Sequence, residues 1–281
     1  MERIEKIEDF EKFNCENRFL GTIPQLINSQ IIIKGKNNIL FCEPSVKLMN
    51  SKIYFNGDNS IVYLCSSRHH YQLSANIQNN NVLYFGKNNY FNGVLNIILS
   101  EQKHCFIGND CLFSFGIYMR NADPHLVYDY NTYERLNISK SIYVGDHVWI
   151  GQSALLLKGT KIDSGSIVGG MSVVAGKKIP YNESWGGNPC KKIKDSIFWD
   201  GACVHAWTEQ NTEKSLNYSN FIEEKNIAID AHKFSYDQNN CVSFEDIDDK
   251  LSMKNTDEII EYLDYISSMD NKNRFAHKKN V

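Results

Sequence analysis

Residues 144–180 read VGDHVW IGQSAL LLKGTK IDSGSI VGGMSV VAGKKI P. In this frame Val144, Ile150, Leu156, Ile162, Val168 and Val174 recur in phase without a slip. Four residues after each stands a mostly small side chain: Val148, Ala154, Thr160, Ser166 and Ser172, with Lys178 closing the run. A period of six is neither the 3.6 of a helix nor the 2 of a strand. It is a solenoid period: each hexad is a short strand plus a corner, and three hexads close a triangular coil. The aliphatic points into the narrow axis, and the small residue fits beside it. Gly145, Gly151 and Gly169 follow the aliphatic directly, where corner backbone strains other residues.

Upstream, a looser version of the pattern begins at Gly35, Gly57, Gly86, Gly108 and Gly145, each opening a Gly-polar-polar-x-apolar-apolar run. The irregular spacing reads as successive coils carrying insertions. For 31–104 alone, a sandwich of short strands with Asn-rich turns is the alternative. Ile107, Phe113 and Met119 keep the six-residue register, which then breaks. Residues 122–141, ADPHLVYDYNTYERLNISKS, hold no hexads and read as a loop thrown out from a coil, a usual carrier of function on a rigid scaffold. Residues 1–30 read as an N-terminal cap with a short helix over about 3–13, 31–194 as the solenoid, and 195–281 as a C-terminal extension. In that extension Asn255 and Glu258 open a helix over 255–269 with Ile259, Ile260, Leu263 and Ile266 as its apolar face. It reads as shaping assembly or acceptor access, so truncation after about residue 250 is expected to spare coenzyme binding. Residues 270–281 read as a basic, frayed end. The stretch WDGACVHAW, with Trp199, His205 and Trp207, reads as packing of a small cap sooner than as a carbohydrate surface.

A net charge of −3 and a pI near 6.2 give no basic field for nucleic acid. No apolar run approaches the ~20 residues that span a bilayer. The charged start, MERIEKIEDF, lacks a signal-peptide core, which points to the cytoplasm. Eight cysteines without a CxxC read as small buried hydrophobes in a reducing compartment.

The hexads, the loop NADPHLVYD at 121–129, VGDHVWIG at 144–151 and GNPCKKI at 187–193 together resemble the hexapeptide-repeat acyltransferases. Within that family the likeness is greatest to O-acetyltransferases of bacterial capsular and other surface polysaccharides. It covers about 105–195 well and 30–104 loosely. Cys190 stands where the family commonly has Ala, and the long tail after 200 is unusual for it. The resemblance implies an all-β, left-handed parallel β-helix, acetyl-CoA as co-substrate without a metal, a carbohydrate acceptor, and a homotrimer with active sites between prisms. It implies that His125 is the base: an imidazole has the pKa to activate a sugar hydroxyl. Asp123 and Asp129 are the nearest carboxylates to orient it. Trp149 is placed beside the cleft, against the pantetheine arm or a sugar face. Coenzyme A along the coil exterior would meet Ser153, Ala154, Gly169, Gly170 and Ser172. Its phosphates would meet Lys177, Lys178, Lys191 and Lys192, and Trp185 with the GNP turn would bracket the adenine. No G-x-S-x-G accompanies the loop, so direct transfer without an acyl-enzyme is expected. His69 and His70 read as surface or acceptor-groove residues, and His147 as scaffold. Two alternatives stand: an N-acetyltransferase acting on an amino sugar, and a γ-carbonic-anhydrase-like or non-catalytic solenoid. A metal version would need His104, His125 and His147 to converge.

Overall fold

The computed structural model describes residues 1–13, 16–223, 241–253 and 255–277. The chain winds into a three-sided parallel β-helix. Its first face carries Gln30–Ile33, Lys52–Phe55, Leu73–Ile77, Leu95–Leu99, Tyr118–Arg120, Leu155–Leu157 and Val173–Val174. The second carries Arg18–Gly21, Ile39–Cys42, Ile61–Leu64, Val82–Phe85, Cys105–Ile107, Ile142–Val144, Lys161–Ile162 and Lys178–Ile179. The third carries Tyr90–Phe91, Leu112–Phe113, Trp149–Ile150, Ile167–Val168 and Ser184–Gly186. The six hexad aliphatics are all fully buried along the axis, and Val148, Ala154, Thr160, Ser166 and Ser172 are buried beside them. Lys178 departs from that pattern and is exposed.

Coil length changes along the molecule. On the second face Leu40, Val62, Leu83 and Cys105 are stacked partners 21 or 22 residues apart, whereas Tyr143, Lys161 and Lys178 stack 18 and 17 apart. The five glycines of the looser repeat therefore do not mark one corner. Gly35 and Gly57 stack between the first and second faces; Gly86, Gly108 and Gly145 stack between the second and third. A Cβ on Gly35 would sit 2.0 Å from the Gly57 carbonyl oxygen, so this corner admits no side chain. Coiling also begins before residue 31, because Arg18–Gly21 pairs in register with Ile39–Cys42.

Both ends of the prism are closed by antiparallel strands, which blunts edges that would otherwise recruit another chain. Glu2–Ile4 pairs with Ile31–Ile33, and Lys191–Lys194 with Ser184–Gly186. The expected helix at 3–13 is thus a strand followed by a 3-10 turn at Ile7–Lys12. Asp9 starts that turn by accepting from the Glu5 and Lys6 amides, while Phe10 packs edge-on against Phe19 at 4.8 Å.

The extension supplies helices α1 (Glu209–Ser215), α2 (Tyr218–Glu223), α3 (Phe244–Leu251) and α4 (Thr256–Ser268). Asn255 caps α4 as expected, accepting from the Asp257 amide at 3.0 Å. This small helical part packs directly on the prism. Ile61, Tyr63, Val82, Tyr84, Phe106 and Tyr143 point outward from the second face and are buried under α3, α4 and Phe275 in a second core. Burying each such side chain contributes about 1.5–3 kcal/mol. The tyrosine hydroxyls find carboxylates on the helices: Tyr63 donates to Asp264 at 2.7 Å and Tyr143 to Asp248 at 2.5 Å. Buried Arg274 forks Asp146 at 2.9 Å on both arms, tying the strand Phe275–Ala276 to the Gly145 corner. Truncation near residue 250 therefore strips part of a core. The last four residues of the basic end, 278–281, lie outside the described residues.

Candidate active site

The loop 122–141 leaves the corner between the first and second faces and returns to it. Cys105 and Ile142 are stacked partners, so this coil takes 37 residues where its predecessor takes 22. A bridge between Tyr128 and Arg135 folds the loop on itself, and Asp129 caps its tip by accepting from the Asn131 and Thr132 amides at 2.8 and 2.9 Å. Those two amides hold the Asp129 carboxyl below its ordinary range.

Asn137 anchors the segment bearing the histidine. Its side-chain amide donates to the His125 carbonyl at 2.7 Å and to Asp123 at 3.2 Å, and its oxygen accepts from the Val127 amide at 3.0 Å. Lys158, at the same corner one coil on, donates to Asp123 and holds that carboxyl below its ordinary range. Arg135 grips Glu101 through a two-pronged pair at 2.8 and 2.9 Å, and Ser139 donates to the same carboxylate. The guanidinium bond is the main cause that lowers the Glu101 pKa. Every anchor thus lies at the first–second corner.

His125 is exposed, and among the described residues its ring has no hydrogen-bond partner. Neither Asp123 nor Asp129 orients it. The Asp123 carboxylate is taken by Lys158 and Asn137, which makes it a support of the loop instead of a partner of the ring. Trp149 stands in the middle of the third face, 38% exposed, with its indole N–H 3.4 Å from the Ser114 hydroxyl. The third face lies opposite the corner that anchors the loop, so one chain does not bring His125 to Trp149.

The expected coenzyme contacts divide by exposure. Ser153 and Gly170 are exposed and Gly169 half-buried on the third-to-first corner. Ala154 and Ser172 are buried, and the Ser172 hydroxyl is spent on Gly169 and Gly187 inside the prism. Those two offer only backbone to an outside ligand. The lysines do not form one cluster. Lys178 faces Glu245 of α3 at 3.7 Å, and Lys192 pairs with Asp195 at 3.1 Å and Glu183 at 3.6 Å. Lys177 and Lys191 are exposed, and Lys177 is near enough to Cys190 to oppose the upward push that burial gives its thiol. Trp185 is half-buried, its N–H donated to Glu183 at 2.7 Å.

The remaining histidines serve different places. His147 stacks on Trp199 at 4.0 Å and the two exchange hydrogen bonds, which docks 195–207 onto the second–third corner. Trp199 is therefore packing, as read from the sequence, while His205 is exposed and Trp207 packs on Phe221 of α2. His104 is buried, accepts from the Val82 amide, and has its pKa pushed down to about 4 by that burial. His104, His125 and His147 do not converge. Cys105 and Cys111 near the loop are fully buried, which raises both thiol pKa values, Cys105 to about 12. Asn137, Lys158 and the Arg135–Glu101 grip have no sequence signature; only the break in register says that something must hold this loop.

Rungs, loop and closing GNP turn give the chain a parallel β-helix similar to that of glycan O-acetyltransferases. No family model matches the chain. It is 28% identical over 179 residues to a polysialic acid O-acetyltransferase of Neisseria meningitidis, covering 63% of this chain and 82% of that one. It is 26% identical over 202 residues to a galactoside O-acetyltransferase of Lactococcus lactis, covering 69% and 92%. The crystal structure of the polySia-specific acetyltransferase NeuO shares the fold, with a TM-score of 0.59 at 23% identity over 75% of this chain and 95% of that one. Among the described residues no helix is long and apolar enough to cross a membrane.

Proposed function

We propose that this protein transfers the acetyl group of acetyl-CoA to a sugar hydroxyl of a bacterial capsular polysaccharide, in the cytoplasm, with His125 as general base. The observation that carries the reading is the held but outward-facing His125. Its backbone is fixed by Asn137 while its ring is left free to take a proton. The relatives named above, which are O-acetyltransferases of glycans, support the acceptor class.

The chemistry follows from those parts. The imidazole takes the hydroxyl proton as the sugar oxygen attacks the thioester carbonyl. The tetrahedral intermediate collapses, the C–S bond breaks, and the thiolate of coenzyme A leaves and regains the proton from the imidazolium. No acyl-enzyme is needed, and the buried, high-pKa thiols of Cys105 and Cys111 are unsuited to form one. Direct transfer needs both substrates held together. A homotrimer supplies this, the His125 loop of one subunit meeting the third face of the next, where Trp149, Ser153, Gly169 and Gly170 line the coenzyme path. Lys177 and Lys191 then serve its phosphates and Trp185 its adenine side. The loop suits such an interface: Tyr130 is 89% and Tyr133 81% exposed.

Incubation with acetyl-CoA and a panel of oligosialic acid, neutral galactosides and amino sugars, followed by mass spectrometry, tests the reading. An acetyl ester on a glycan is expected, and transfer confined to an amine points to N-acetylation instead. His125→Ala should cut turnover roughly 10²–10⁴-fold with coenzyme affinity kept. Near-normal turnover in that variant, an acetylated enzyme trapped without acceptor, or an active monomer by light scattering each contradicts it.

A further inference from the structure

Residues 197–199 run along the second–third corner, which holds them at both ends. At one end the Asn182 carbonyl accepts from the Ile197 amide at 3.0 Å, and the Asn182 side chain donates to the Ile197 carbonyl at 2.8 Å. At the other end Trp199 and His147 lie ring on ring at 4.0 Å with 3° between their planes. The Trp199 indole donates to the His147 carbonyl at 2.9 Å, and His147 Nε2 stands 3.1 Å from the Trp199 carbonyl. Asp200 and Phe198 carry the hold outward to α2: Tyr218 donates its hydroxyl to Asp200 at 3.2 Å and meets the Phe198 ring edge-on at 4.9 Å. Residues 195–223 thus form a strap fastened to one margin of the third face.

Trp199 has a second ring neighbour. Trp149 lies 6.1 Å from it at an angle of 48°, within the range in which aromatic pairs attract. Trp199 is only 8% exposed and is clasped by His147, so it presents a fixed wall. Trp149 is 38% exposed, and its indole N–H reaches the Ser114 hydroxyl only at a long 3.4 Å. A bond of that length fixes a side chain weakly. A rigid ring against one side of the indole narrows the orientations left to it, which is how a neighbour makes a binding group precise.

We propose that Trp199 is a positioning residue of the donor site: clasped by His147, it holds the Trp149 indole toward the coenzyme path, and the strap walls off the third face along the second–third corner. Coenzyme and the neighbouring subunit's loop then enter from the opposite margin, where Ser153 and Gly170 are exposed. The inference rests on the transfer reading and adds to its donor site a part of the chain that lies outside the repeat. Trp199 touches neither substrate. It acts through Trp149, so it sets donor affinity and leaves the proton transfer to His125.

The test is a double-mutant cycle read by calorimetry, with coenzyme A as the probe and no acceptor present. Trp199→Ala should weaken coenzyme A about two- to tenfold, the worth of one aromatic pair. In a Trp149→Ala background the same change should have no further effect, because the ring it positions is gone. Trp199→Phe keeps a ring in the clasp and should recover part of the affinity. In turnover the donor KM of Trp199→Ala should rise by the same factor with kcat changed less, the reverse of His125→Ala. A packing role alone would lower the melting temperature and leave the affinity at wild type. If Trp199→Ala melts much earlier, Trp199→Leu fills most of the site without a ring and should show the same loss of affinity. Wild-type affinity in either folded variant, or an equal loss with and without Trp149, overturns the inference and leaves the transfer reading intact. A loss that vanishes with Trp149, in a protein that acetylates no glycan, keeps the positioning role and removes the transfer reading. Failure of the wild-type protein to bind coenzyme A removes both.

Discussion

The second and third faces are built on the same coils at the same rung spacing, yet one is sealed and the other bare. On the second face Ile61, Tyr63, Val82, Tyr84, Phe106 and Tyr143 point away from the axis and are still fully buried. On the third face Tyr90 and Trp149 also point away but are 43% and 38% exposed, Trp149 with Trp199 tilted against it at 6.1 Å. The sequence difference is simple. Second-face strands read IVYL, VLYF, CFI and IYV, apolar at both alternating positions, as in sheets covered on both sides. Third-face strands are mostly two residues long, one inward and one outward, with polar corners close by. A solenoid face with two apolar columns requires a cover, and residues 241–253 and 255–277 provide it. A face with one apolar column and scattered aromatics needs none.

The largest expected effect breaks the cover. Arg274 is fully buried and meets Asp146 with two charge-assisted bonds, while its backbone amide donates to the same carboxylate at 2.8 Å. Removing one partner of a buried pair strands the other charge and typically costs about 3–5 kcal/mol. Arg274→Ala should therefore lower the melting temperature sharply in calorimetry, with new dye-binding apolar surface. A melting temperature close to wild type would mean that the extension covers the second face without helping to hold it.

A smaller effect belongs to the loop, which sits between the two faces in character: ordered but uncovered. Asn137→Ala removes four side-chain bonds, two of which hold the backbone at His125 and Val127. Each lost buried bond is worth roughly 1–3 kcal/mol, but the loss is local. Hydrogen exchange across 123–139 should quicken while exchange in the coil stays slow. Turnover should fall with the donor KM unchanged, since the proposed coenzyme path lies on the third face. Wild-type exchange in the loop would show that Asn137 is not its anchor.

Acid should act on the same segment more gently. Arg135 lowers the Glu101 pKa and Lys158 lowers that of Asp123. A depressed carboxylate contributes stability that is present above its unfolded pKa, about 4, and is lost as pH falls through the folded value. Proteolysis of 122–141 by an acid-active protease should therefore accelerate below about pH 4. Arg135→Gln should show the faster cleavage already at higher pH. A flat profile in the wild-type protein would assign the loop's order to Asn137 alone.

How far the sequence could be read follows the same contrast. The hexads were legible because the axis of the prism admits only one repeated aliphatic, as at Ile150 and Val168. The loop was legible as a break in that register. The long coils were harder: with 21 or 22 residues per turn the corner glycines change corners, so Gly57 and Gly86 look like one series and are two. The cover was legible only as an apolar helix at 255–269. What it covered lay in the Tyr63, Tyr84 and Tyr143 positions, which on a bare strand read as surface. The pairing of Glu101 with Arg135, or of Asp123 with Lys158, depends on how corners stack in space and leaves no spacing to find.

The smallest effect sharpens the comparison most, because it is a near-zero set against a large loss one register position away in kind. Tyr84 is fully buried on the second face, stacked on Phe106 at 4.5 Å and in contact with Tyr63 at 5.4 Å. Large aromatic-to-alanine changes in such a core cost about 3–5 kcal/mol, the vacated volume adding to the lost transfer energy. Tyr90 is an outward tyrosine on the next element of the same coil, and its only ring contact among the described residues is the edge of His69. A surface change away from caps, cores and buried polar groups stays within about 0.5 kcal/mol. Tyr90→Ala should thus melt within a degree or two of wild type where Tyr84→Ala loses much of the stability. If both variants lose stability alike, the third face is packed against something in solution, and another subunit seated on Tyr90 becomes the better account of its exposure. If neither does, the α3–α4 cover is loose, and the second face is as open to solution as the third.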